Sequence, residues 1–361
     1  MNVLSLSMEG FRNIDTLSFC PGDGVNVLYG DNAQGKTNIL EAIWLFTGGK
    51  SFRGAKDAEL VGFGRDSAKL TMRFDAAGRQ QQATITIAAR RSAVLNGLPL
   101  PAVTKLTGRF CAVIFSPEHL ALIKAGPEER RKFLDAACCQ LRPAFMPVLA
   151  EYLKTLKQRN RLIKAIRAGD QPDDPLLFDT FDRQLASSGA AVRRERRAYL
   201  EKLGDRAAAI YDGLSAGRER LALAYETGRD TADALYNALQ ASRQIDQRAG
   251  FTTIGPHRDD FDVTINGSDA RRFGSQGQQR SCVLALKLAE AALLQDACGE
   301  QPVVLLDDVM SELDASRQDF LLNQMTGWQT FITCCDPAMK DRLHAGFSAK
   351  IVRGSMEERT L

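Results

Sequence analysis

A glycine-rich octapeptide between two differently patterned segments limits the fold of this chain more than any other feature. Residues 30–37 read GDNAQGKT and fit the pattern G-x-x-x-x-G-K-[ST]. The run VNVLY at residues 25–29 precedes the loop as a strand would, and apolar residues at positions 39, 40, 43 and 44 follow it at helical spacing. The order strand, glycine loop, helix predicts an α/β fold with a nucleoside triphosphate site at the loop.

The chemistry of such a loop assigns a role to each residue type. Glycines allow backbone N–H groups to turn towards phosphate oxygens, and the start of the following helix adds partial positive charge. Lys36 is placed to bridge the terminal phosphates, which gives it a catalytic role, and the Thr37 hydroxyl is placed to bind Mg²⁺. The predicted ATP-binding residues of the loop are Gly30, Asp31, Asn32, Ala33, Gln34, Gly35, Lys36, Thr37 and Asn38.

An acidic pair at the end of a second apolar run completes the predicted site. Residues 303–306 read VVLL, and Asp307 follows where a carboxylate can hold Mg²⁺ or one of its waters. Asp308 is then the candidate general base. Most of the chain separates Lys36 from Asp307, so we expect a large insertion between them.

The hydrophobic pattern divides the chain into three parts. Strand-like alternation dominates up to about residue 115 and returns after about residue 251, whereas apolar residues between these limits recur at helical steps. We therefore predict a bipartite head formed by residues 1–115 and 251–361, with residues 116–250 inserted as a helical arm. Candidate linkers are residues 169–175 and the turns near Gly213 and Gly217.

Ser275, Gln276, Gly277 and Gln278 form a second glycine loop, ahead of a helix pattern that begins near Gln279. A helix start attracts anions, and the chain already has one phosphate loop, so we expect this loop to contact the γ-phosphate held by a second copy. Two ATP molecules would then join a symmetric homodimer, with residues 311–314 beside the shared boundary. The alternative is that Ser275 only caps its helix.

Composition narrows the class of protein without identifying a partner. The formal net charge of +3 is small because 47 basic residues nearly cancel 44 acidic ones. No apolar stretch approaches the roughly 20 residues of a membrane span, and the first residues lack the basic and apolar regions of a secretory signal, so the expected location is the cytoplasm. Eight cysteines without CxxC spacing predict neither zinc nor disulfides, and we interpret them as reduced core thiols.

Local charge is strongly basic in the middle part of the chain. Residues 142–167 contain seven Lys or Arg side chains against the single acid Glu151, and residues 193–197 read RRERR. One helical face is the predicted DNA contact, following phosphates without reading bases; its residues are Lys154, Lys157, Arg161 and Lys164. A merely solvated helix face is the alternative.

Several segments occur together in one order. They are GFRN at residues 10–13, GDNAQGKTNILEAI at 30–43, RRKFLD at 130–135, GPHRDD at 255–260, SQGQQR at 275–280 and LDDVMSELD at 306–314. With these motifs the chain resembles, over nearly its whole length, the ATP-binding-cassette-type heads of SMC and Rad50 proteins, and most closely the RecF family of bacterial recombination mediators. The resemblance implies an α/β P-loop ATPase head of the ABC type with an inserted, mainly helical lobe.

The resemblance also implies a function. It predicts an ATP-dependent switch in DNA replication, recombination, repair and the SOS response, with ATP and Mg²⁺ as cofactors and slow hydrolysis. It predicts dimerisation on ATP, binding to double-stranded and to gapped or single-stranded DNA, and action with RecR, and indirectly with RecO, in loading RecA at single-strand gaps. By position, Arg12 and Asn13 look like nucleotide contacts, and Ser275 and Gly277 like contacts to the opposite γ-phosphate.

Two departures from the wider cassette pattern predict weak catalysis. The shorter Asp308 stands where a glutamate is usual, and residues 333–336 contain no histidine after the next strand. A second question concerns His257, which is either close to the nucleotide or a hydrogen-bonding partner of a turn; the sequence leaves both open.

Three other protein classes use the same phosphate loop. An ABC-type ATPase that energises a transporter or another complex is the main alternative, although the missing histidine and the basic insertion fit it poorly. A nuclease of the overcoming-lysogenization type needs a metal-binding domain, for which residues 309–361 leave no room. A small-molecule kinase would leave the second glycine loop without a purpose.

Overall fold

The computed structural model describes residues 1–225, 231–343 and 346–360, and the chain divides into two compact units. The first unit contains Met1–Leu120 and the residues from Val283 onwards, and the second is Ala121–Cys282. The first limit lies five residues beyond the predicted division at residue 115. Residues 251–282, which the hydrophobic pattern assigns to the head, lie in the second unit.

The described residues form the following strands and helices, each numbered in chain order. The strands are β1 (Asn2–Phe11), β2 (Ile14–Phe19), β3 (Val25–Tyr29), β4 (Ala68–Ala76), β5 (Arg79–Ile87), β6 (Ser92–Leu95), β7 (Leu98–Pro99), β8 (Ala112–Phe115), β9 (Leu221–Ala224), β10 (Asp262–Ile265), β11 (Ser268–Asp269), β12 (Val303–Asp307), β13 (Thr330–Cys334), β14 (Phe347–Val352) and β15 (Ser355–Thr360). The helices are α1 (Lys36–Leu45), α2 (Asp57–Leu60), α3 (Ala121–Lys124), α4 (Pro127–Leu141), α5 (Phe145–Ala168), α6 (Pro175–Ser215), α7 (Ala232–Ala249), α8 (Ala270–Phe273), α9 (Gln276–Cys298), α10 (Ala315–Gln324) and α11 (Met339–Arg342).

Two sheets form the core of the first unit. An antiparallel sheet has the order β2-β1-β4-β5-β6-β7, and a second sheet has the order β15-β14-β3-β13-β12-β8, in which only β15 runs antiparallel. Every residue of β12 and β13 is buried, as expected of central parallel strands covered on both faces. The carboxyl end of β13 lies between those of β3 and β12, and this edge of a parallel sheet is where ligands usually bind.

The second unit is mainly helical, as predicted for the middle of the chain. Helix α6 is 41 residues long and begins with Asp174 as its N-cap and Pro175 in its first turn. It continues through Gly213, so that glycine is not part of a linker, and the turn follows at Ala216 and Gly217, which both have positive φ. Strand β9 was missed within the helical region; it pairs with β10, which explains why residues after 251 join this unit.

Several arginines of the helical unit lie inside it rather than on its surface. Arg159 is fully buried, with Nε 2.7 Å from Asp182 Oδ1 and Nη1 2.6 Å from Asp246 Oδ2. Arg193 pairs with Asp259, and Arg196 pairs with Asp135. The basic cluster at residues 193–197 is therefore not a continuous basic surface, because its first and fourth residues form ion pairs in the interior.

Candidate nucleotide-binding site

The phosphate loop has the backbone shape that its glycines predict. Gly30 and Gly35 adopt φ values of 143° and 109°, a region that favours glycine. A Cβ at Gly30 would lie 2.5 Å from the carbonyl oxygen of Ile351, and one at Gly35 would lie 2.8 Å from Asn13 Oδ1. Helix α1 starts at once, and among the described residues no side chain caps its first turn. Its N-terminal amides are therefore oriented for an anion.

The ammonium group of Lys36 is folded back into this loop. Nζ donates to the carbonyl oxygen of Gly30 and, over 2.8 Å, to that of Asp31, while Cys335 Sγ lies 3.5 Å away. The side chain is 7% exposed, yet within the described part of the chain no carboxylate forms an ion pair with it. A buried cation held by neutral acceptors suits a phosphate, which would supply the missing negative charge.

Thr37 and Asp307, the two residues predicted to bind Mg²⁺, lie in direct contact. Thr37 Oγ1 donates to Asp307 Oδ1 over 2.7 Å, and Thr333 Oγ1 donates to the same oxygen over 2.9 Å. Burial raises the pKa of the Asp307 carboxyl, and the negative charge of Glu118 acts in the same direction. A nearby cation would stabilise this buried carboxylate, and hydroxyl and carboxylate oxygens are ligands that Mg²⁺ prefers. The donor set therefore fits Mg²⁺.

Asp308 follows in a backbone conformation that is unusual for a non-glycine residue, with φ of 53°. Its N–H donates to Thr333 Oγ1 over 2.9 Å, and the Ser311 hydroxyl contacts both its carbonyl oxygen and its carboxylate. One hydroxyl on β13 thus holds two consecutive residues at the end of β12. A threonine in a strand has no distinctive pattern, so this role of Thr333 is not predictable from the sequence.

Residues far from the motif also support the phosphate loop. Gln34 Oε1 accepts from the N–H of Arg353 over 2.7 Å, and the Gln34 carbonyl accepts from that of Gly354 over 2.8 Å. Arg353 and Gly354 form the turn between β14 and β15, and both have positive φ. Cys335 Sγ lies 3.1 Å from Asn32 Oδ1. A glycine in a turn was the only sequence signal for these contacts.

Arg12 and Asn13 lie in different surroundings. The Arg12 guanidinium donates to both carboxylate oxygens of Glu41, over 2.9 and 3.0 Å, and to the carbonyl oxygen of Glu59. It therefore braces α1, and any nucleotide contact would use its remaining N–H groups. Asn13 touches the loop: Nδ2 donates to the Ala33 carbonyl over 3.4 Å, and Oδ1 accepts from Asn38 Nδ2 over 2.7 Å.

In the second unit, Ser275 caps α9 through two reciprocal hydrogen bonds. Its Oγ accepts from the N–H of Gln278 over 3.2 Å, and its own N–H donates to Gln278 Oε1 over 2.7 Å. Ser275 and Gln276 are exposed, whereas Gly277 and Gln278 are half-buried. Since Oγ accepts from Gln278, the hydroxyl proton remains available to an external acceptor. The capping role left open by the sequence is present, and it is compatible with an anion contact.

The four predicted DNA-binding residues form one exposed strip. They follow α5 at steps of three and four: Lys154, Lys157, Arg161 and Lys164. Over the ranges that the structure describes, none of the four takes part in an ion pair, whereas Arg142, which precedes α5, pairs with Glu195. Arg159 lies between Lys157 and Arg161 in the sequence but does not belong to the exposed strip, because it is buried.

His257 is hydrogen-bonded within the second unit, and two cysteines of the first unit are exposed. One ring nitrogen of His257 lies 2.6 Å from the Tyr152 hydroxyl and the other 2.9 Å from the Thr252 carbonyl, and burial lowers the pKa of the imidazole to about 4. This is the structural role that the sequence left open. Cys20 and Cys335 are exposed, so the interpretation of every cysteine as a core thiol is wrong for these two.

Comparison with known proteins identifies the family. The sequence matches the family described as RecF/RecN/SMC N terminal domain over residues 2–357. The DNA replication and repair protein RecF of Lachnoclostridium phytofermentans is 38% identical over 362 residues, with 99% of this chain and 100% of that protein covered. The chain belongs to the RecF family. RecF of Agathobacter rectalis is 39% identical over 362 residues, and the alignment covers 99% of this chain and 99% of that protein.

Solved RecF structures have the same fold. The recombination mediator protein RecF, in structures described as RecF-ATP and RecF-ATPrS in the RecFOR pathway, superposes with a TM-score of 0.92 at 36% identity, over 99% of this chain and 97% of the other. The Smc head domain from Pyrococcus furiosus has a TM-score of 0.57 at 15% identity, which shows the shared head fold alone. The predicted ABC-type ATPase head is confirmed for this RecF-family chain.

Throughout its described residues, each helix is too short or too polar to cross a membrane.

Proposed function

We propose that the chain is an ATP-dependent, DNA-binding switch of recombinational repair. The observation that carries the proposal is the cluster of Lys36, Thr37 and Asp307 at the carboxyl ends of β3 and β12, two parallel strands on either side of β13. The buried ammonium suits the terminal phosphates of ATP, and solved RecF relatives are described with ATP. Thr37 and Asp307 would hold Mg²⁺, which when bound neutralises phosphate charge.

Hydrolysis is slow in this proposal, with Asp308 as general base. Its carboxylate is shorter than that of glutamate, and its backbone is fixed by Thr333 and Ser311, so its reach towards a water is limited. Residues 333–336, where an assisting histidine is usual in ABC-type ATPases, contain no histidine. A long-lived ATP state suits a switch, since the closed form then persists until other molecules have acted.

ATP drives homodimerisation in the proposed mechanism. The loop formed by Ser275, Gln276, Gly277 and Gln278 contacts the γ-phosphate bound by the partner copy, and the free hydroxyl proton of Ser275 supplies a donor. A phosphate bound between two surfaces stabilises only the closed form, so hydrolysis reopens the dimer. Because the dimer is symmetric, each of its two ATP sites is formed by residues from both copies.

DNA is the proposed macromolecular ligand, as double-stranded and as gapped or single-stranded DNA. The exposed strip of Lys154, Lys157, Arg161 and Lys164 supports contact with phosphates rather than with base edges. In this role the chain acts with RecR, and indirectly with RecO, to help load RecA at single-strand gaps. That assignment rests on membership of the RecF family.

Two substitutions test the composite site. Lys36→Ala abolishes ATP binding, because the terminal phosphates lose their cation. Ser275→Arg leaves ATP binding by the monomer intact but prevents ATP-dependent dimerisation, because Ser275 serves the other copy's nucleotide. ATP binding is measured by equilibrium titration of a fluorescent analogue, and mass by light scattering. Ser187→Arg, the same change at an exposed position of α6, is the matched control. A dimer formed by Ser275→Arg with ATP would contradict the proposal.

A further inference from the structure

A carboxylate that belongs to no sequence motif lies against the Ser275–Gln278 loop. Glu219 follows the end of α6, and its Oε1 accepts from Gln278 Nε2 over 2.7 Å. Its Oε2 accepts from the buried Tyr211 hydroxyl over 2.7 Å, and its carbonyl accepts from the Ser215 hydroxyl over 3.3 Å. All of these residues belong to the second unit. Glu219 is thus fixed to the last turns of α6 while it holds a residue of the loop.

The chemistry of Glu219 determines which way the Gln278 amide points. An ionised carboxylate only accepts hydrogen bonds, so the NH₂ group of Gln278 must face it. The amide oxygen is then directed to the N–H of Ser275, which it meets at 2.7 Å. Without the carboxylate, the amide of a half-buried glutamine is free to rotate, and its NH₂ group cannot replace the oxygen as an acceptor for Ser275.

A second set of hydrogen bonds holds the residue that follows the loop. Gln279 Nε2 donates to the carbonyl oxygens of Ala270 and Arg271, over 3.0 and 3.3 Å, which fixes α8 against the start of α9. Together with the Gln278–Glu219 contact, these bonds hold the Ser275 backbone while its side chain stays exposed. A preorganised donor of this kind binds an anion without the loss of freedom that a mobile loop would incur.

We infer that Glu219 is a positioning residue for the composite nucleotide site: it orients Gln278, and through Gln278 it holds Ser275 ready for the γ-phosphate of a second copy. The inference rests on the proposed ATP-dependent dimer. The negative charge of Glu219 is not itself useful beside an anion, because like charges repel. A neutral glutamine, whose amide oxygen can accept from Gln278, therefore suffices at this position.

The test measures the dissociation constant of the dimer in ATP and Mg²⁺ by light scattering, and ATP binding by the dilute monomer with a fluorescent analogue. For Glu219→Ala we expect unchanged ATP binding and weaker dimerisation, by about tenfold for each site and about 100-fold for the two sites of a symmetric dimer. Glu219→Gln should restore dimerisation to within about threefold of the unmodified chain. Tyr211→Phe, which removes the second hydrogen bond of Glu219, should have a smaller effect in the same direction.

Asp212→Ala is the matched control, because Asp212 is an exposed acid that lines the same open pocket as Glu219 without contacting Gln278. The inference is overturned if Glu219→Ala dimerises like Asp212→Ala, or if Glu219→Gln is as defective as Glu219→Ala. The proposed function fails instead if the unmodified chain does not dimerise with ATP, or if Ser275→Arg does. The two failures are therefore distinguishable.

Discussion

Replacement of Arg159 by methionine tests how charge is divided between the two sides of α5. Arg159 and both of its carboxylate partners, Asp182 and Asp246, are fully buried, at N–O distances of 2.7 and 2.6 Å. Its Nη1 also donates to the Thr252 hydroxyl over 2.9 Å. Methionine fills much of the same volume, so the change is chiefly electrostatic: two buried carboxylates lose the cation between them.

The magnitude follows from that geometry. Removal of one partner from a buried ion pair costs about 3–5 kcal/mol, and two carboxylates depend on Arg159, so we expect the upper part of that range. The total stability of a domain is on the order of 5–15 kcal/mol, so Arg159→Met should remove about a third or more of the free energy of unfolding. Lys157→Met, which also replaces a basic side chain by methionine but two positions away on the exposed face, should alter stability by less than about 0.5 kcal/mol.

The assay is urea unfolding followed by far-ultraviolet circular dichroism at pH 8 and pH 5. Burial raises the pKa of Asp182 in the folded protein, and loss of Arg159 raises it further. The folded variant then binds more protons than the unfolded chain, so its stability rises as pH falls and the deficit shrinks at pH 5. Equal effects of the two substitutions, or a deficit that grows at pH 5, would refute the reasoning.

Three further predictions concern the surfaces and loops of the two units. Asp308→Asn should slow ATP turnover while it preserves or prolongs the ATP-bound dimer; loss of nucleotide binding would instead make Asp308 a metal ligand. The double change Lys157→Gln and Lys164→Gln should weaken duplex DNA binding and reduce the slope of log affinity against log salt by about 1.8, from roughly 0.9 per phosphate contact. An unchanged slope would mean that Lys157 and Lys164 belong to a solvated helix face and do not contact DNA phosphates. Gly354→Ala should lower ATP affinity, because its Cβ would lie 2.3 Å from the Asn13 carbonyl oxygen, whereas Gly327→Ala, at a similar φ and with no neighbour closer than 4.0 Å, should not. Equal ATP affinities of Gly354→Ala and Gly327→Ala would show that the turn at Arg353 and Gly354 does not support the phosphate loop.

The nucleotide site is the part of the molecule that the sequence predicts best. The loop from Gly30 to Thr37 follows a short, largely buried strand, and Asp307 ends another, and local sequence alone specifies such a unit. The structure brings Thr37 and Asp307 into contact although they are 270 positions apart. Both strands had to belong to one parallel sheet for this to happen, and the carboxyl ends of parallel strands meet at one edge.

Charge was harder to interpret than hydrophobic pattern. Lys157, Arg159 and Arg161 belong to the same residue class, yet only the middle one is buried. The spacing of the sequence does indicate that Arg159 is buried. It precedes the buried Leu162 and Ile163 by three and four positions, so it lies on the apolar face of α5. Its partners Asp182 and Asp246 are 23 and 87 positions away, and no local pattern connects them.

The placement of residues 251–282 shows a second limit of sequence patterns. Alternation predicts a strand near residues 261–265 but does not identify the strand with which it pairs. β10 joins the four-residue β9, which lies in the otherwise helical part of the chain and is too short for a clear pattern. Long-range pairing, rather than local propensity, decides to which unit these residues belong.

The position of β3 has a consequence for the order in which the protein folds during synthesis. Its neighbours in the sheet are β13 and β14, and Gln34 meets Arg353 across 319 positions. A ribosome therefore releases the helical unit before it releases the strands that enclose β3. Until then both edges of that strand are unpaired and prone to non-native association. The nucleotide can stabilise its binding loop only after nearly the whole sequence has been translated.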